Sequence, residues 1–177
     1  MTAGMMVSIT KAGLYGTAPN MPPNEVSKGL NRTIKAIELG KNKMALSIAR
    51  FWSDRVEFTS AAMPPIYHYQ SRTEDVDEIL LEGLPLGSFK GETYSQVDIV
   101  YEPGDAFVFI SDGLPEATNK SEKMLGYRAV LDCVKENGKN SAEEIKQSLF
   151  DLGTAWLDGI KNQDDITVVV VKKEKTS

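Results

Sequence analysis

Apolar residues dominate the stretch from Thr2 to Tyr15, where Met5, Met6, Val7, Ile9, Ala12 and Leu14 leave little polar face. That pattern predicts a helix buried on most of its sides and in need of covering partners. After a breaker from Gly16 to Pro22, Pro23 suits a first-turn position, and Val26, Leu30, Ile34 and Ile37 recur at helical spacing until Gly40. This predicts an amphipathic helix.

The period then changes from helical to alternating. Met44, Leu46 and Ile48 alternate with other residues, as do Val56 and Phe58 beyond Ser53-Asp54, which predicts a hairpin. Pro64-Pro65 interrupts the chain. Ile66 to Tyr69 and Asp77 to Leu81 read as short edge or connecting strands before a turn-rich stretch from Gly83 to Gly91. Tyr94 to Tyr101, the turn Glu102-Pro103-Gly104-Asp105 and Ala106 to Ser111 read as a second hairpin, with its latter strand apolar on both faces and deep in the core.

Two further helices are predicted around Tyr127, Val130, Leu131 and Val134, and around Ala142, Ile145, Leu149, Leu152 and Trp156. Ser141 followed by Glu144 fits a capping box for the second of them. Ile166 to Val171 predicts a last strand, and the lysine-rich tail after it should be solvated. Hairpins outnumber crossovers in this order. The expected fold class is α+β, an antiparallel β-sandwich flanked by helices, in one domain spanning residues 1–177.

Composition narrows the chemistry. The 177 residues carry one cysteine, Cys133, and one histidine, His68, so disulfides, zinc clusters and nucleophile–histidine triads are excluded. Catalysis must run on carboxylates. A formal net charge of -5, with both signs interspersed, offers no basic stripe for nucleic acid. Apolar runs are too short for a membrane span and the N-terminus has no basic signal region, so a cytoplasmic location is expected.

Within Phe107-Val-Phe-Ile-Ser-Asp-Gly113 a buried strand ends in a carboxylate followed by a residue with no side chain. A hard divalent cation needs oxygen ligands on such rigid positions, although Asp-Gly after a strand is commonly just a turn. Asp164-Asp165 sets two carboxylates side by side before the last strand; they are either hydrated or relieved by a cation. If the two strands are neighbours, Asp112 and one of Asp164 and Asp165 converge as in oxygen-only Mg²⁺ or Mn²⁺ sites.

The run Gly104-Asp-Ala-Phe-Val-Phe-Ile-Ser-Asp-Gly-Leu-Pro-Glu-Ala-Thr-Asn119 resembles the strand-and-loop motif of the bacterial sporulation-E (SpoIIE-like) phosphatases, a branch of the metal-dependent protein phosphatase 2C superfamily. Gln163-Asp-Asp-Ile-Thr-Val-Val-Val170 is similar to their closing motif. Ser60-Ala-Ala-Met-Pro-Pro65 and Gly83-Leu-Pro-Leu-Gly87 resemble two proline-bearing segments, in family order.

The resemblance implies a serine/threonine protein phosphatase with a binuclear Mn²⁺ or Mg²⁺ centre, hydrolysing the phosphoester in line without a covalent enzyme intermediate. It carries over Asp112 and Asp164 as catalytic metal ligands, Asp165 as a further metal-site acid supporting the loop, and Gly113 and Glu116 in supporting roles. It also implies a phosphorylated anti-sigma-factor antagonist as partner, in sigma-factor partner switching. The family's first motif, Asp-x-x-Gly-His-Gly, has no counterpart before the Ala3-Gly-Met-Met-Val7 helix, and no acid precedes Glu25. The expectation is an N-terminally truncated domain of weak or absent activity, with a sheet edge open to homodimerisation. Met63 replaces the family's usual histidine. The remaining alternative is a non-catalytic module that binds a phosphorylated partner or dimerises. His68 reads as a packed or surface residue rather than a ligand, Cys133 as a core thiol, and Gly83, Gly87 and Gly91 as turns.

Overall fold

The computed structural model describes residues 2–37 and 42–174. They form two compact units, each built from two separated stretches of chain: the described residues up to 63 with 81–100, and residues 64–80 with those from 101 to 174.

In the first unit, helices α1 (Thr2–Tyr15) and α2 (Pro23–Ala36) accompany a three-stranded antiparallel sheet of order β1-β2-β5, with β1 at Leu46–Phe51, β2 at Arg55–Ala61 and β5 at Gln96–Val100. The β1–β2 hairpin forms as expected: Phe51 pairs with Val56, and the Trp52 N–H donates to the Arg55 carbonyl across Ser53-Asp54. Pro23 opens α2, where its missing N–H costs nothing. Val26, Leu30 and Ile34 then bury one stripe with Met6, Ala61, Leu86 and Tyr94. Ile37 caps this helix and is exposed, because the buried stripe ends one turn earlier; Gly40 lies outside the described residues.

Helix α1 corrects the expectation of burial on most sides. It buries Met6 and Thr10 and brings Gly13 close to Leu30, whereas Met5, Val7, Leu14 and Tyr15 are exposed. An apolar composition states what a helix could bury; the number of packed neighbours decides how much it does.

The second unit holds a four-stranded antiparallel sheet of order β4-β3-β6-β7, with β3 at Ile66–Gln70, β4 at Asp75–Ile79, β6 at Ala106–Ile110 and β7 at Val168–Lys172. Helices α3 (Tyr127–Asn137) and α4 (Ala142–Leu157) pack Val130, Val134, Ile145 and Leu149 against Tyr67, Tyr69, Ala106, Val108 and Ile110 of this sheet. The Ser141–Glu144 capping box is present, with the Glu144 N–H donating to Ser141 Oγ and the Ser141 N–H to Glu144 Oε2. Its value is about 1 kcal/mol of helix stability.

Two strand expectations change. Of the pair expected at an edge, β4 is an edge strand, but β3 lies inside the sheet and its first four residues are buried. The second expected hairpin does not form: β5 pairs with β2 in one sheet, while β6 pairs with β3 and β7 in the other. The Glu102–Asp105 turn is tied instead to the end of β7, where the Gly104 N–H donates to the Lys173 carbonyl and the Lys173 N–H to that of Asp105. Tight-turn residues fix a local reversal and leave open which strands then pair.

Candidate metal centre

Strand β6 is buried at four of its five positions, and β7 runs antiparallel beside it with Ile110 opposite Val168. The condition posed by the sequence is therefore met: the chain leaving β6 and the chain entering β7 are neighbours. Beyond the last paired residues, the Ser111 N–H donates to the Thr167 carbonyl at 3.0 Å, and the Thr167 N–H returns to Ser111 Oγ at 2.9 Å. Ser111 Oγ also donates to the Asp165 carbonyl at 3.1 Å. One hydroxyl thus fastens the root of Asp112 to the root of Asp165.

Gly113 completes the contact. A Cβ on this residue would lie 2.4 Å from the carbonyl oxygen of Asp165, so any side chain would push the two loops apart. The Asn162 amide bridges the same loops, donating to the Gly113 carbonyl at 2.9 Å and to the Asp164 carbonyl at 2.8 Å. Asp164 Oδ1 accepts the N–H of Asp165 at 2.8 Å, a local turn that orders this acidic pair. The Glu116 N–H donates to the Asp112 carbonyl at 2.9 Å, closing a turn after the strand. The side chains of Asp112, Glu116, Asp164 and Asp165 are exposed, while Gly113 is buried.

These features bring the loops of Asp112 and Asp164–Asp165 together on locked backbone, with Glu116 one turn further on. The Tyr127 phenol senses the acids as well: burial pushes its pKa up, and the negative charges of Glu116, Asp112 and Glu78 push it the same way. Among the described residues no group of three or more His, Cys, Asp or Glu side chains is gathered to enclose an ion. Two carboxylates on loops tied together by backbone hydrogen bonds nevertheless fit Mg²⁺ or Mn²⁺ in donor type, because such ions are commonly held by one or two carboxylates plus water and phosphate oxygens.

Two positioning residues carry almost no signal in the sequence pattern. Ser111 stands out only as the residue before Asp112, and Asn162 only as a polar neighbour of the acidic pair. Their roles depend on contacts 54 and 49 residues away along the chain.

Of the two places open to the one histidine, packed or at the surface, it takes the packed one. His68 is buried, stacks on Phe107 with ring centroids 4.4 Å apart, and sets Nε2 3.1 Å from Asp105 Oδ2. Cys133 is half-buried against the core of the second unit, and burial pushes its thiol pKa up. No described helix is long and apolar enough to cross a membrane.

Comparison with known proteins places the chain in a family. The family model "Stage II sporulation protein E (SpoIIE)" matches residues 1–174. The fold is similar to the SiaA-PP2C domain of Pseudomonas aeruginosa, with TM-score 0.80 and 16% identity, over 96% of this chain and 70% of that one. It is also similar to the RsbU and RsbW domains of Rv1364c from Mycobacterium tuberculosis, with TM-score 0.71 and 18% identity, over 98% of this chain and 47% of that one. The SpoIIE phosphatase domain of Bacillus subtilis, presoaked with Mn, aligns with TM-score 0.61 and 18% identity, over 99% of this chain and 74% of that one. Curated protein sequences gave no match. These likenesses establish the α+β fold of the protein phosphatase 2C type, and the family match carries the assignment further: the chain belongs to the SpoIIE family of PP2C-type serine/threonine phosphatases.

Proposed function

We propose that this chain is a single phosphatase domain that hydrolyses phosphoserine or phosphothreonine on a regulatory protein with Mn²⁺ or Mg²⁺. Asp112 and Asp164 hold the metal, Asp165 adds or supports an oxygen at the same loop, and Glu116 has a secondary part. The observation that carries this reading is the Gly113–Asp165 backbone contact, which fixes the two acidic loops side by side without relying on side-chain packing. The bound metal supplies Lewis-acid stabilisation of the phosphoryl oxygens and an activated water.

The residues of the chain do the rest. Ser111 and Asn162 hold the carboxylate-bearing backbone still, and preorganisation of this kind spares reorganisation when phosphate charge arrives. Glu116 adds negative charge beside Asp112, which favours cation binding over a bare anion. The physiological role we assign is dephosphorylation of an anti-sigma-factor antagonist in partner switching, in the cytoplasm. The family match and the likeness to the RsbU and RsbW domains of Rv1364c support that role.

The test is hydrolysis of an aryl phosphate and of a phosphoserine peptide with added Mn²⁺, beside the Asp112→Asn chain. The expected result is metal-dependent turnover reduced about 100-fold or more in Asp112→Asn. Repeating the assay with a chain that carries an Asp-x-x-Gly-His-Gly stretch upstream tells whether the 177 residues suffice. Metal-independent turnover, or equal rates in Asp112→Asn, refutes the assignment. Absence of turnover in both chains favours a phosphoprotein-binding module.

A further inference from the structure

A cleft of about 730 Å³ opens directly on the candidate centre, and Gly113, Glu116 and Asp164 form one end of it. Its two walls are the segments that follow Asp112 and precede Asp164. The first wall is a small hairpin in which Thr118 bridges to Met124, and Asn119 Oδ1 accepts the N–H groups of Ser121 and Lys123. The Trp156 indole of α4 anchors the hairpin, donating to the carbonyls of Ala117 and Lys123. The second wall runs from the left-handed cap Asp158, at φ 46°, to Asn162, whose amide grips Gly113 and Asp164. Lys120 on one wall reaches Asp158 at the base of the other at 2.6 Å.

Both walls are thus formed without a ligand, so a ligand entering the cleft meets little ordering cost. The volume is several times that of a single phosphorylated side chain and lies in the ordinary range for a binding cleft. The lining selects against a small apolar ligand, because Ile160 is its one large apolar side chain and the rest is mostly amide, hydroxyl and charged groups. Two cations line it beside three carboxylates, Glu116, Glu122 and Asp164, of which Glu116 and Asp164 belong to the proposed metal end. Lys120 is engaged by Asp158, whereas Lys161 is exposed and has no ion-pair partner among the described residues. Lys161 also adjoins the Asn162 clamp, which places an ammonium on a flexible stem three residues before Asp164.

We infer that this cleft is the docking groove for the substrate's phosphorylated polypeptide segment, with Lys161 meeting the phosphate as it arrives at the Gly113–Asp164 end, next to Asp112 in the chain. The inference rests on the proposed phosphatase reading and deepens it by assigning the residues that recognise the phosphoprotein. An ammonium suits this role, since it donates to several phosphate oxygens as a compact charge and lets go of the product. The Thr118–Met124 hairpin forms the wall along which residues flanking the phosphoserine lie.

The experiment measures anisotropy of a fluorescent, degenerate phosphoserine peptide pool binding to the full chain with Mn²⁺, beside its unphosphorylated counterpart. Lys161→Glu is compared with Lys139→Glu, the same charge change at an exposed lysine that does not line the cleft. The expected result is binding weakened about 10-fold or more by Lys161→Glu and less than about 2-fold by Lys139→Glu, with the phosphate required. Aryl phosphate hydrolysis by the unaltered chain is recorded in parallel. Turnover with peptide binding that ignores Lys161 overturns the groove and leaves the phosphatase reading standing. Lys161-dependent binding without turnover, in this chain and in one carrying an upstream Asp-x-x-Gly-His-Gly stretch, overturns the phosphatase and keeps the groove. Equal losses in both variants, or no binding of the phosphorylated pool, overturn the groove.

Discussion

Asp105 stands immediately before strand β6 and Asp112 stands two residues after its end, yet the protein treats the two carboxylates in opposite ways. Asp105 is 5% exposed and accepts from the Ser71 N–H at 2.8 Å and the Glu102 N–H at 2.9 Å, with His68 Nε2 at 3.1 Å. Both of its oxygens are engaged inside the fold. At the other end the backbone is locked by Ser111, Gly113 and Asn162, but among the described residues no hydrogen bond from a neighbour reaches the Asp112 carboxylate, which faces solvent. A structural acid spends its oxygens on the protein. An acid kept for a ligand has its main chain fixed and its oxygens left over, and that contrast is a sharper criterion than the presence of an aspartate in a motif.

The largest expected effect follows from the buried corner. Asp105→Ala strands two backbone donors and the His68 ring, at a cost of about 3 kcal/mol in urea unfolding. A loss under about 1 kcal/mol would show that water replaces the carboxylate readily and would dissolve the contrast. Gly113→Ala comes next. Its methyl would meet the Asp165 carbonyl at 2.4 Å, backbone against side chain, with about 2 kcal/mol lost as the loops separate. Wild-type stability in that variant would mean that the loops part easily and do not preorganise the centre.

The pH dependence sharpens the comparison from another side. Burial alone would raise the Asp105 pKa, but the N–H groups of Glu102 and Ser71 and the His68 ring outweigh it and hold the carboxyl below its usual range. A carboxyl depressed on folding stabilises the native state above its unfolded value of about 4, and that contribution disappears as pH falls through the lower folded value. Unfolding free energies from about pH 5 down to about pH 2 should therefore fall more steeply in the wild type than in Asp105→Asn. Parallel curves would show that Asp105 is not held ionised by its partners.

How much of this the sequence disclosed depends on the range of the interaction. Segments governed by neighbours in the chain were legible: the β1–β2 hairpin, the Ser141 capping box, the helical stripes of α2 and α4, and the strand-ending Ser111-Asp112-Gly113. The neighbourhood of the two strands that carry the Asp112 and Asp164–Asp165 loops was legible as a condition, and the β6–β7 pairing fulfils it. The Glu102–Asp105 turn misled because local residues specify a reversal, whereas β5 and β6 choose partners in different sheets. The His68–Asp105 pair was invisible for a similar reason, since each residue is ordinary until a contact 37 positions away joins them. Helix α1 failed differently: its apolar pattern was real, but exposure is settled by what packs against it.

Asn162 sits between the two extremes, being a loop residue whose amide nitrogen makes two hydrogen bonds. Asn162→Ala removes two hydrogen bonds at once and should cost about 1 to 2 kcal/mol, with Mn²⁺ affinity weakened in the same variant because both acidic loops loosen. Isothermal titration beside urea unfolding separates the two effects.

The smallest expected effect is the most telling one. Asp112→Ala should change stability by no more than about 0.5 kcal/mol, since its carboxylate is exposed and unclaimed while the clamp around it consists of other residues. Removal could even stabilise the metal-free chain slightly, by relieving repulsion from nearby Glu116 and Asp164. Urea unfolding without metal reads this directly. If Asp112→Ala instead costs as much as Asp105→Ala, the acid at the end of β6 is a structural group like the one at its start, and the case for a ligand position at Asp112 fails with it.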